Sequence, residues 1–115
     1  MKYNGMIIQE SLEDANILTG FVVDRIKETN DENEDDRRHI YHVLAEDTQI
    51  LDLERYIKFG PWYSHFWNNE EIIIVFRDKV FRFNKDVKEG IIEAEKYGTN
   101  LGIPQEQLDF LIVNE

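Results

Sequence analysis

The sequence predicts an α+β fold. It reads as an antiparallel sheet of about five to six strands, made of an N-terminal hairpin and a C-terminal three-stranded meander, with two main helices near 48–59 and 85–97. Three observations carry this expectation. Residues 60–83, GPWYSHFWNNEEIIIVFRDKVFRF, alternate with the two-residue period of strands and are interrupted by turn chemistry at Asn68-Asn69 and Asp78-Lys79. Residues 47–59 and 84–98 show helical periodicity. A length of 115 residues with 42% hydrophobic content suits one domain, spanning 1–115, with one core.

In chain order, residues 3–10 (YNGMIIQE) are a short apolar run that predicts a strand. Ser11 followed by Asp14 resembles a cap for a single helical turn over 12–18, ending near Gly20. Residues 20–29 and 38–46 predict two strands, joined by the acidic segment 29–37, which reads as a solvated, mobile loop. Residues 47–59 predict a helix capped by Asp47 or Thr48 and stopped by Gly60-Pro61, with Ile50, Leu53 and Ile57 on its inner face. In the meander, a turn at Asp78-Lys79 pairs Phe76 with Phe81, Ile74 with Phe83 and Val75 with Arg82. Residues 84–98 predict the second helix, capped by Asn84, with Val87, Ile91 and Ala94 as its stripe and Gly98 as its C′ residue. Pro104 is placed to open a short helical turn, and 108–113 (LDFLIV) predict a closing strand.

Charge and composition restrict the function classes. The net charge of −11 disfavours non-specific attraction to nucleic acid or anionic lipid. The charge is segregated: residues 28–36 hold six acids and no base, whereas 77–88 hold five bases against two acids. No apolar run has the roughly 18–20 residues of a membrane helix, and the N-terminus does not read as a signal peptide. The absence of cysteine removes disulfide and thiolate chemistry and points to a cytoplasmic location.

Four segments, MIIQESLED at 6–14, WYSHFWN at 62–68, IIIVFRDKVFRF at 72–83 and EAEKYGTNLGIPQEQLDF at 93–110, resemble a family of small uncharacterised bacterial and archaeal proteins. The resemblance implies that 60–110 is one structural unit. It brings no activity, cofactor or catalytic residue.

The candidate pocket residues are Tyr63, His65, Trp67 and Arg77. His65 lies between two aromatics on one strand face, where a histidine can act as acid or base or can close the edge of a core. His39 and His42 project to opposite faces of a strand, so no three-histidine metal site is expected. An EF-hand starting at Asp31 fails because Asp36 and His42 stand where Gly and Glu are needed. Ser64 and His65 are adjacent on a strand and cannot form a dyad. Trp62, Tyr63, Phe66 and Trp67 could stack bases, but the net charge opposes nucleic-acid binding. No Gly-rich phosphate loop or hydrolase elbow occurs, and no catalytic residue, metal or cofactor is expected.

The leading expectation is therefore an interaction or oligomerisation module, with a homodimer favoured and a protein partner as the other option. Its ground is that strands apolar on both faces need cover on both. The alternative is a small-ligand binder or enzyme with its pocket around His65. A third reading, an acidic decoy for a nucleic-acid-binding protein, requires a rigid array of carboxylates rather than a loop.

Overall fold

A computed structural model describes residues 2–29, 33, 37–104 and 108. Six strands form one antiparallel sheet: β1 (Lys2–Ile8), β2 (Val22–Glu28), β3 (His39–Glu46), β4 (Ser64–Trp67), β5 (Glu71–Phe76) and β6 (Lys79–Asn84). Their spatial order is β2-β3-β1-β4-β5-β6. The β2–β3 hairpin and the β4–β6 meander both form as the alternation predicts. β1 lies between them and pairs with β3 on one side and β4 on the other.

The two faces of this sheet bury different residues. One carries Tyr3, Ile7, Val43, Phe66, Ile73 and Val75, covered by the chain's own segments around Leu12, Leu18, Ile50, Leu53 and Ile57. The other carries Trp67, Ile72, Ile74 and Phe76, covered by helix α2 (Lys88–Asn100) through Ile91 and Ala94, with Ile103 and Leu108 beyond it. Both faces of the meander are thus covered within one chain. Neither face of the meander needs a second subunit for its cover.

Several boundaries differ from the sequence expectation, each for a local reason. Helix α1 spans only Asp47–Asp52, followed by a 3-10 turn at Leu53–Arg55. Ile57 forms an isolated β-bridge with Leu12, and Lys58 N–H donates to the Ser11 carbonyl at 2.8 Å. That tertiary pairing extends the chain before Gly60-Pro61 is reached. The cap of α1 is Glu46, in a reciprocal capping box with Gln49, rather than Asp47 or Thr48.

Asn84 ends β6, and its side chain accepts from Asp86 N–H at 2.9 Å, so α2 starts later, after Val87. Val87 is 41% exposed and leaves the buried stripe. Gly98 lies within α2, and the C′ residue is Gly102 at φ +95°. Ile103 N–H donates to the Gly98 carbonyl and Gly102 N–H to the Thr99 carbonyl, which is the Schellman pattern.

The β5–β6 turn falls at Arg77-Asp78, with Asp78 at φ +62°, a conformation Asp tolerates better than most residues. The pairs are Ile74 with Phe81, Ile72 with Phe83 and Val75 with Val80. The shift is two residues, so every side chain keeps its expected face. In place of a single turn over 12–18, the chain forms two 3-10 turns, Gln9–Ser11 before it and Ala15–Gly20, and Asp14 caps the second by accepting from Asn16 N–H. Most of the acidic segment, and the strand expected at 108–113 apart from Leu108, lie outside the described residues.

Candidate functional site

Cross-strand register builds a row of side chains on the α2 face of the sheet. Arg25 of β2 stands opposite His42 of β3. His42 stands opposite Met6 of β1, and Met6 opposite His65 of β4. The row continues through Ile74 and Phe81, where α2 begins to cover it. Parity places Asn4, Ile8, Ile40 and Leu44 on the same face, beside the row. Helix α2 packs over the β4–β6 half and leaves the β2–β3–β1 half as a trough.

Two clefts lie in that trough and share Met6. One, of about 390 Å³, is lined by Asn4, Met6, His42, Leu44, Asp24, Arg25 and Trp67. The other, of about 380 Å³, is lined by Met6, Ile8, Ile40, Thr29, Arg38, Tyr63 and His65. Each volume falls within the range of roughly 300–1,000 Å³ usual for small-ligand sites.

Tyr63, His65 and Trp67 form the wall nearest the core, as their spacing of two residues predicts. The His65 ring stacks on Trp67 at 5.1 Å and tilts against Tyr63 at 6.1 Å. Tyr63 in turn meets Phe76 at 5.8 Å. His65 is 7% exposed and borders the second cleft. Ser64 points to the opposite face, where its Oγ is buried without a hydrogen-bond partner among the described residues, so the two do not form a dyad.

Arg77, the fourth sequence candidate, is not brought to this wall. Its guanidinium donates to the Ile57 carbonyl at 3.0 Å, pairs with Glu13 at 3.0 Å and covers the Phe59 ring at 4.1 Å. It holds the chain around Ile57 and Phe59 to the sheet.

Sequence reasoning singles out neither Met6 nor Arg25, and weighs His42 only as a metal ligand. The signal was present in the alternation of β1 and β3, but the neighbour relations of β1 were not. Burial pushes the His42 imidazole below the ordinary histidine value and the Arg25 charge adds to this; Asp24 opposes, and Lys27 contributes a smaller push downward.

Two further polar clusters lie outside the trough. His39 Nδ1 meets Glu10 Oε2 at 2.6 Å, and its Nε2 lies 3.8 Å from Glu28. The Glu10 hydrogen bond raises the His39 pKa, burial opposing it. On the other face, Tyr3 Oη donates to Glu71 at 2.6 Å, and Arg82 bonds Glu71 at 3.1 Å and Tyr3 Oη at 3.2 Å. The Arg82 and Tyr3 hydrogen bonds hold the Glu71 carboxyl below the usual range. Both clusters tie strands to neighbouring segments.

Among the described residues no group of three His, Cys, Asp or Glu side chains converges as a metal site. No described helix is long and apolar enough to cross a membrane. No protein-family model, curated protein or solved structure matches the chain.

Proposed function

We propose that the protein is a binding module whose working surface is the trough over β1 and β3, where it takes a small ligand beside His65. One observation carries this reading. Half of one sheet face is left uncovered by α2, and there two clefts with an apolar floor and converging polar groups meet at Met6. The test is a thermal-shift screen against a panel of small molecules, run in parallel on wild type and His65→Gln. A compound that raises Tm in wild type but not in a folded His65→Gln protein supports the reading. A variant that unfolds at the outset makes His65 structural, and Met6→Ala then takes its place in the screen.

Self-association, with a dimer favoured, is the second reading, and β2 is the observation behind it. All seven of its residues are exposed, including Val22 at 58% and Ile26 at 55%. The bulge between Val23 and Arg25 and the charges of Asp24, Arg25, Lys27 and Glu28 are devices that blunt edge pairing, and they favour the ligand reading. Gel filtration with light scattering decides: a stable dimer lost on Ile26→Lys supports self-association, and a monomer excludes it. A chain without cysteine is indifferent to redox state, which suits a cytoplasmic home.

A further inference from the structure

The charge around the trough identifies a ligand class, an inference that rests on the small-ligand reading above. The chain as a whole is strongly acidic, at −11. The outer wall of the trough has the opposite sign. Arg25 and Lys27 stand on β2 facing it, opposite His42 and Ile40, against the single carboxylate of Asp24 on the bulge.

Three other arginines hold carboxylates, and Arg38, at the second cleft, donates to the Arg37 carbonyl and lies over the Trp62 ring. Arg55 holds Asp52, Arg77 holds Glu13 and Arg82 holds Glu71. Arg25 holds no carboxylate among the described residues and lies exposed at the rim of the larger cleft. A guanidinium with no carboxylate partner among the described residues, at the rim of a cleft that mixes apolar and polar lining, is a ready partner for a planar carboxylate, which it can grip through two parallel N–H bonds.

The floor sets the rest of the molecule. Met6 and Leu44 lie beneath, interleaved with Asn4 and His42, and Trp67 lines the same cleft. A thioether and an indole make favourable contact with flat rings. From Arg25 to His65 the row crosses three strand spacings, roughly 14 Å, which is room for two fused rings and their carboxylate.

We propose that the trough binds a small aromatic carboxylate, its acid group on Arg25 and its ring over Met6 and Leu44 against Trp67. The probes are naphthoate and its neutral counterpart naphthalenemethanol, titrated while amide NMR shifts are followed. The expected result is a saturable shift at Met6, His42, Leu44 and the Trp67 indole, with naphthoate about tenfold tighter than the alcohol, as a charge-assisted contact implies. In Arg25→Gln the two probes converge to within about twofold, while the alcohol's affinity is unchanged. Because Arg25 is exposed, its replacement leaves the fold intact.

Equal binding of both probes in wild type, or a preference that survives in Arg25→Gln, overturns the carboxylate assignment and leaves the small-ligand reading standing. Failure of naphthoate to move the trough amides at millimolar concentration overturns the carboxylate assignment, and the small-ligand reading falls with it only if the thermal-shift panel also gives no stabilising compound.

Discussion

Replacing Gly5 by Ala tests whether the trough's floor strand is positioned by a single missing methyl group. Gly5 lies opposite Phe66 across the β1–β4 ladder. A Cβ there would stand 2.0 Å from Phe66 Cδ2 and 2.3 Å from Cε2, more than an ångström inside ordinary contact. The ring has nowhere to go. Phe66 is 0% exposed, faces Ile73 on β5 and packs in the cluster that holds Tyr3, Ile7 and Val43. Overpacking of this kind costs about 1–3 kcal/mol. Reduced freedom of the unfolded chain returns about 0.4–1 kcal/mol. With a clash this close, the net loss is about 2 kcal/mol.

In urea denaturation followed by tryptophan fluorescence, the midpoint falls by roughly 1 M at unchanged slope. Gly20→Ala, with no atom within 4 Å of its added Cβ, is the control and changes little. Adding Phe66→Leu to Gly5→Ala vacates the clashing ring atoms and recovers about 1 kcal/mol relative to additivity. A Gly5→Ala protein within about 0.5 kcal/mol of wild type, or additive single and double variants, refutes the reasoning.

Other perturbations test the polar clusters. Tyr3→Phe removes the hydroxyl shared by Glu71 and Arg82 in a fully buried ring, and costs about 1–2 kcal/mol in the same assay, with the Glu71 titration moving up. Gln49→Ala loses both the capping-box bond to Glu46 N–H and the bond to the Gly20 carbonyl, for about 1 kcal/mol. The Glu10–His39 contact is pH-dependent. Because His39 is raised, its contribution to stability is complete below the ordinary histidine value and fades as pH rises through the raised one. Burial raises Glu10 but the His39 hydrogen bonds outweigh it, so its pKa is lowered, and its contribution is lost as pH falls through that lowered value. The contact is strongest in the mildly acidic window between the two. NMR titration of the His39 ring shows a raised midpoint that Glu10→Gln brings down; an unmoved midpoint rejects the assignment.

Much of the fold was legible because strand and helix periods are local. Ile72–Phe76 reads as a strand apolar on both faces, and in β5 all five of these residues are buried. The wall Tyr63, His65 and Trp67 followed from alternation alone. Alternation does not locate the β5–β6 turn, because a register shift of two residues leaves the pattern of faces unchanged. The end of α1 is not legible locally, because the Leu12–Ile57 bridge that extends the chain there comes from a segment far away in sequence.

The candidate site was only half legible for the same reason. Composition and period determined by themselves that this is an acidic α+β chain with a hairpin, a meander and two helices, and that Tyr63, His65 and Trp67 share a face. Tertiary structure alone decided that β1 sits between β3 and β4, that this aligns Arg25, His42, Met6 and His65 in one row, that Arg77 is drawn away to Glu13, and that α2 stops short of the row's outer half. A strand's faces are fixed by its own alternation. Its neighbours are fixed by hydrogen bonds and packing across the whole sheet, which no local pattern encodes.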